Sequence, residues 1–165
     1  MSDGNWVPAK LDCSDGVTVL EPQAYCAYQV DFGIARPAVP FRGAAITVNR
    51  KPHPANAQRE HTYWHMVTEG EPEITRTTPI LDRLERIPWA RPVLEHVGAS
   101  GVKAWENVRG SDRHFCVWHD RVNYLVVVKQ TVDTFLLKTT YCPTPQRRMK
   151  LHTEYAEAKR RGRTF

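Results

Sequence analysis

The chain has 165 residues, of which 41% are hydrophobic and 25% are charged, and its formal net charge is +5. This length suits one domain with a single core, and no apolar run approaches the ~18 residues that a membrane-spanning helix needs. The opening MSDGNWVPAK lacks the apolar centre of a secretory signal, and the four cysteines form no C-x-x-C pair, so we expect a reduced, cytoplasmic protein without a zinc ribbon.

Residues 1–60 are predicted to form an irregular, loop-rich extension of the domain. GVTVL and AAITVNR are typical of short strands, while PQAYCAYQVDF fits either a strand or a short helix. Four prolines, at positions 37, 40, 52 and 54, interrupt regular structure between these runs.

Two consecutive helices are predicted over residues 78–97. Thr78 is expected to cap the first helix and Pro79 to open it, because apolar residues then recur at 80, 81, 84 and 87. Pro88 should end this helix, and the second should stop at Gly98. Asp82 and Arg86 lie four residues apart and can form an ion pair.

Four strands are predicted next, at 102–108, 114–120, 122–129 and 134–141. Their short polar connections favour an antiparallel meander, in which YLVVVK is the central strand, buried on both faces. Thr144 then caps a C-terminal helix with an apolar face of Leu151, Tyr155 and Ala158. We therefore predict an α+β fold, with helices preceding a four-stranded antiparallel sheet and a basic helix following it.

The positive charge is concentrated at the C-terminus. Residues 145–165 contain two glutamates, and the rest of the chain is formally neutral. Such a tail indicates contact with a polyanion such as RNA, although basic residues also favour the last turns of helices for electrostatic reasons. Its seven cations are Arg147, Arg148, Lys150, Lys159, Arg160, Arg161 and Arg163.

Several classes of enzyme are disfavoured by missing motifs. The sequence has no Gly-x-Ser-x-Gly, no phosphate-binding glycine loop and no Gly-x-Gly-x-x-Gly. Its acidic residues are scattered, and HTYWH (61–65) lacks the glutamate of the H-E-x-x-H zinc motif. We expect neither a metal site nor a cofactor.

The remaining chemical groups suit RNA cleavage without a metal. The ribose 2′-hydroxyl attacks the adjacent phosphorus, which requires a base, an acid and cations. His65, anchored by apolar neighbours, is the candidate for proton transfer, whereas His61 is expected to be a surface residue. Arg83 and Arg86 are candidates for phosphate contact, although both could simply be on the solvent side of their helix.

Further candidates for substrate contact come from the strands and the tail. Lys129 ends the central strand, and the hydroxyls of Thr139-Thr140-Tyr141 could orient a phosphate, although β-propensity alone explains that triplet. Arg113, His114 and His119 flank the second strand and are weaker candidates. Trp105 and Trp118 could stack a base but more often such residues pack a sheet. In the tail, the predicted RNA contacts are Arg147, Arg148 and Lys150.

The stretch from His61 to Tyr155 resembles the phage-related barnase–EndoU–colicin–RelE (BECR) nuclease superfamily. The resemblance lies in WHMVT, LDRLERIPW, a Trp-containing strand, YLVVV and a final strand that ends in TTY. It implies a metal-independent endoribonuclease, often a toxin or phage effector, whose core is residues 61–165. The matching catalytic positions are His65, Arg83 and Thr140, with Lys129 and Tyr141 as weaker matches.

The predicted partner is RNA, with ribosome-associated RNA or tRNA as the candidate target, and a cognate inhibitor protein is a further expected partner. Two alternatives stay open at this stage. The same scaffold could bind nucleic acid without cleaving it, or it could be a small interaction protein whose N-terminal half binds another protein.

Overall fold

A computed structural model describes residues 5–165, so the first four residues of the predicted extension lie outside it. The helices are α1 (Val17–Phe32), α2 (His61–Val67), α3 (Leu81–Leu84), α4 (Ala90–Glu95) and α5 (Pro145–Arg160), with 3-10 turns at Glu73–Thr75 and Ile87–Trp89. The strands are β1 (Pro40–Phe41), β2 (Ala44–Thr47), β3 (Pro52–His53), β4 (Asn56–Glu60), β5 (Val102–Arg109), β6 (Asp112–His119), β7 (Tyr124–Gln130) and β8 (Phe135–Tyr141).

The fold is α+β, as predicted, but the main sheet has six strands rather than four. Strands β5 to β8 form the expected antiparallel meander, and the strand order is β1-β2-β8-β7-β6-β5. The additional pair joins through β2, which runs parallel to β8 with Ile46 opposite Phe135. The prediction missed this pairing because nothing local in β2 specifies a partner 90 residues along the chain.

The N-terminal part is more regular than predicted. GVTVL does not form a strand; it leads into the 16-residue helix α1, which includes PQAYCAYQVDF. Leu20, Ala24, Tyr28 and Phe32 recur every four residues along α1 and are all buried. This buried stripe stabilises the helix despite its β-branched first turn and Pro22.

The two predicted helices of residues 78–97 are shorter than expected. The cap of α3 is Ile80 rather than Thr78, and the helix begins at Leu81 and makes a single turn. The second helical region begins with a 3-10 turn at Ile87–Trp89 and continues as α4 to Glu95. The predicted ion pair between Asp82 and Arg86 is present.

Helices cover both faces of the sheet. Residues of α1, α2 and α4 pack on one face with Val126, Val128 and other strand residues. On the opposite face, Leu151 and Ala158 of α5 pack with a second cluster: Trp105, Cys116, Trp118 and Leu125. The central strand β7 is therefore covered on both sides, as predicted, and both tryptophans are core residues rather than exposed platforms for a base.

The C-terminal helix begins as the sequence predicts. The Thr144 hydroxyl accepts a hydrogen bond from the Arg147 amide at 3.2 Å, and Pro145 occupies the first turn, where its missing N–H costs nothing. This cap fixes where α5 starts beside the end of β8. Among the helices of the described region, none combines the length and apolar character needed to cross a membrane.

Candidate active site

A cleft lined by both polar and apolar groups lies on the α5 face of the sheet, beside β8 and α2. Its volume is about 230 Å³, below the roughly 300–1,000 Å³ of typical small-molecule pockets, so it suits one reacting group of a larger substrate. Six elements contribute to it: α2, β5, β6, β7, β8 and α5. The lining residues are His65, Asn107, His114, Cys116, Val127, Lys138, Thr139, Tyr141 and Arg147.

A β-bulge in β8 places two consecutive polar side chains in this cleft. Val127 lies opposite Thr139, whereas the next residue, Val128, lies opposite Leu137, so Lys138 is the extra residue. Side chains normally alternate between the faces of a sheet, but an extra residue interrupts that alternation. Lys138 and Thr139 consequently both line the cleft.

The backbone at the end of α2 fixes the position of His65. Arg76 donates from Nη1 to the carbonyl oxygens of Thr68 at 2.8 Å and His65 at 3.4 Å, and Arg83 donates to the same Thr68 carbonyl at 2.8 Å. These guanidinium groups satisfy carbonyls that the helix end leaves without amide partners. They therefore hold the turn that carries the imidazole.

The surroundings of His65 keep its imidazole neutral. Burial, together with the positive charges of Arg76 and Lys138, lowers the pKa of His65 to about 4. Its Nδ1 atom is buried and has no hydrogen-bond partner among the described residues. A neutral imidazole at neutral pH can accept a proton, and an anion bound in the cleft would stabilise the protonated product.

The polar groups in the rest of the lining are cationic or neutral. His114 of β6 and Asn107 of β5 face the cleft from the sheet, and neither was a principal candidate from the sequence. The carboxylate of Glu154, outside the lining, accepts a hydrogen bond from Arg147 at 2.7 Å and from Asn107 at 3.3 Å. The lining named above contains no carboxylate, so the cleft suits an anion.

The structure brings only some of the predicted residues together. His65, Tyr141 and Arg147 all line the cleft, and Arg147 Nε lies 3.4 Å from the Tyr141 hydroxyl. Arg83 lies over the Tyr141 ring at 5.6 Å. Thr140, in contrast, is 2% exposed and lies on the buried side of β8. Its neighbour Thr139 lines the cleft instead.

The other predicted contacts lie outside the cleft. Lys129 donates to Asp112 at 3.0 Å, and Arg86 pairs with both Asp82 and Glu85. Two further candidates are on α5. Arg148 donates to the Asp120 carbonyl and lies over Trp118, and Lys150 is exposed on the same helix.

One lining residue that was only a weak candidate, and one that was missed, could have been placed from the sequence. On β6, His114 alternates with Cys116 and Trp118, so the period of two places it on the α5 face once the meander is accepted. Asn107 lies directly opposite His114 in the register of β5 and β6. The place of Thr139 in the cleft has no comparable signal, because its direction depends on the bulge.

A cluster next to His65 offers ligand atoms to a metal but has unsuitable hydrogen bonding. Ligand atoms of His53, His61 and Glu73 lie within 4.8 Å of one another, and His61 Nε2 is 2.9 Å from Glu73 Oε2. The Ala55 amide donates to His53 Nδ1 at 3.0 Å, so the Nε2 atom of the neutral ring carries the proton. That nitrogen has no lone pair for a metal, and the cluster fits a hydrogen-bonded group better. His61, predicted to be at the surface, is one of its partly buried members.

No protein family, curated protein or solved structure matches this chain. The resemblance to BECR nucleases therefore stays a prediction. What the cleft can do is inferred from the chemistry of the side chains that line it.

Proposed function

We propose that the protein is an endoribonuclease that cleaves RNA in this cleft by attack of the ribose 2′-hydroxyl, without a metal ion. The observation that carries the proposal is the convergence of two imidazoles and two permanent cations on one small cavity. His65, His114, Lys138 and Arg147 come from four different elements, so their convergence is a product of the tertiary fold.

Each group has a role that its chemistry supports. The neutral His65 accepts the proton of the 2′-hydroxyl as that oxygen bonds to phosphorus. His114 donates a proton to the 5′-oxygen as its bond to phosphorus breaks, which leaves a 2′,3′-cyclic phosphate and a free 5′-hydroxyl. Lys138 and Arg147 stabilise the charge that develops on the non-bridging oxygens.

The neutral polar groups complete the proposed substrate site. The hydroxyls of Thr139 and Tyr141 and the amide of Asn107 can hydrogen-bond to phosphate or ribose oxygens. The cleft has room for one reacting unit, so bases are expected to extend outside it. The exposed cations of α5 would then contact the RNA backbone beyond the cleft.

The direct test is digestion of total RNA in excess EDTA. We expect cleavage by the wild-type protein and a rate lower by at least about a hundredfold for His65→Asn and for His114→Asn, because a positioned acid or base contributes roughly 10²–10⁴. The matched control is His152→Asn, since His152 is an exposed histidine on α5. Equal cleavage by all four proteins would refute the assignment of the site.

The exposed cations of α5 favour one alternative, which is binding of RNA without cleavage. Lys150, Lys159 and Arg160 are all exposed on this helix, independently of the cleft. This alternative predicts an affinity for RNA that falls steeply with salt, while the RNA remains intact.

A further inference from the structure

Three glutamates at alternate positions cover two arginines and a histidine beside the cleft. Residues 69–73, EGEPE, are called the acidic segment below. Glu69 pairs with Arg83 at 3.1 Å, Glu71 with Arg76 at 3.6 Å and Glu73 with His61 at 2.9 Å. The cation row is accordingly defined as His61, Arg76 and Arg83.

The acidic segment lies outside the cation row. The side chains of Glu69 and Glu71 are 71% and 77% exposed, whereas those of their partners Arg83 and Arg76 are 14% and 9% exposed. The carboxylates therefore lie between these cations and solvent. They occupy the positions that an incoming anion would need.

The segment is attached mainly through these ion pairs. Its turn is closed by its own hydrogen bonds, from the Thr75 amide to Pro72 and from the Arg76 amide to Glu73. In the described structure, the backbone of residues 69–74 forms no hydrogen bond with the body of the protein. Exposed ion pairs contribute little stability, so displacement of the segment needs little energy.

The cation row borders the cleft at two points. The His61 and His65 rings are stacked with centroids 6.1 Å apart, and Arg83 lies over the ring of Tyr141, a lining residue. A strand that entered the cleft from the α2 side would meet these cations next. Arginine binds phosphate through the same donors with which it binds carboxylate.

We propose that the cation row is a binding track for consecutive phosphates of single-stranded RNA, and that the acidic segment competes with RNA for it. Arg76 and Arg83 also hold the end of α2, so displacement of the glutamates by phosphate would act next to His65. The inference rests on the proposed function, because it takes the substrate to be RNA.

The test compares two triple variants of equal charge. In the first, Glu69→Gln, Glu71→Gln and Glu73→Gln remove the competing carboxylates. In the control, the replacements are Asp31→Asn, Asp82→Asn and Glu95→Gln, each in an ion pair with an arginine outside α5. Any difference between the variants cannot come from net charge. The probe is a fluorescein-labelled 2′-O-methyl oligouridylate, which binds but cannot supply an attacking 2′-hydroxyl.

We expect the first variant to bind the probe about tenfold more tightly than the control, because RNA no longer displaces two arginine ion pairs and the carboxylate bound to His61. The slope of log Kd against log salt should steepen by about 1.4, from roughly 0.7 for each of the two phosphates that take the place of a carboxylate on Arg76 and Arg83. Addition of Arg83→Gln to the first variant should reverse part of this gain in affinity for the probe. Thermal unfolding verifies that the quadruple variant is folded.

Equal affinity in the two triple variants would overturn the inference, as would an absence of probe binding by both. Failure of the proposed function is a separate result. In that case wild-type protein leaves natural RNA intact, whereas the first variant still binds the 2′-O-methyl probe more tightly than the control does.

Discussion

Replacement of His65 by glutamine should remove a specific part of the acid sensitivity of the fold. In the folded protein the pKa of His65 is lowered to about 4 by burial and by nearby positive charge. In the unfolded chain the imidazole should titrate near its ordinary value of about 6.5. Glutamine has a similar polar size but does not titrate, so it eliminates the difference between the two states.

The direction and size of this change in the free energy of unfolding follow from proton linkage. Between pH 6.5 and pH 4 the unfolded chain binds the proton and the folded protein does not, so the free energy of unfolding decreases as the pH falls. The contribution of the neutral His65 imidazole to the free energy of unfolding is fully present above about pH 6.5 and is lost towards pH 4. A pKa difference of about 2.5 corresponds to about 3 kcal/mol, an order-of-magnitude value for a partly buried group.

Urea denaturation at pH 7 and pH 4 measures this contribution. The wild-type protein should lose about 3 kcal/mol more than His65→Gln over this interval, and other titrating groups cancel in the comparison. The His152→Gln control alters an exposed histidine and should follow the wild type. If wild type and His65→Gln lose the same free energy, the imidazole is not held neutral by its surroundings and the reasoning is refuted.

Three further predictions concern the cleft and the helix beside it. Lys138→Met should raise the pKa of His65 and slow RNA cleavage, because it removes a nearby positive charge. NMR titration of the imidazole measures the pKa, and an unchanged titration curve would show that Lys138 does not act on this ring. Thr139→Val should reduce the cleavage rate, whereas the isosteric Thr140→Val should leave the rate unchanged, and the reverse order would contradict the orientation of β8. Thr144→Ala should lower the free energy of unfolding by about 1 kcal/mol through loss of the α5 cap, and unchanged urea denaturation would argue against that cap.

The meander and the last helix were predictable because their signals are local. Alternating and apolar runs located β5 to β8, and short polar connections specified antiparallel pairing. The Thr144-Pro145 pair located the start of α5. Together these elements were enough to place Tyr141 and Arg147 close to one another.

The first turn of helix α1 was predicted to be a strand, and the rest was left open between strand and helix, because the local and tertiary signals of this segment conflict. Val17, Thr18 and Val19 favour a strand, and Pro22 disfavours a helix, while the stabilising feature is a buried stripe that only the packed core creates. The parallel pairing of β2 with β8 is likewise a long-range contact that no short pattern encodes.

The assignment of cleft residues depended on a single extra residue in β8. Without the bulge, strict alternation would place Lys138 and Thr140 on the same face and Thr139 on the other. The bulge reverses this for the residues that follow Lys138, so Thr139 lines the cleft, whereas Thr140, the position that the resemblance implied, is buried on the other face. The resemblance to a known superfamily did not supply this register.

The acidic segment illustrates a different limit of sequence reasoning. Glu69, Glu71 and Glu73 could have been ordinary solvated residues of a loop, as their spacing alone suggests. Their partners come from α2, from the residue after a 3-10 turn and from α3, and these elements meet only in the folded protein.

The most direct test of the central claim compares a labelled RNA with the same RNA carrying one 2′-deoxy nucleotide at its cleavage site, in excess EDTA. Cleavage in the cleft by 2′-hydroxyl attack predicts that the RNA product ends in a 2′,3′-cyclic phosphate and that the deoxy-substituted substrate stays intact. It also predicts that His65→Asn lowers the rate of RNA cleavage by at least about a hundredfold. Cleavage of the deoxy-substituted substrate at the same rate, or intact RNA with wild-type protein, would contradict the account.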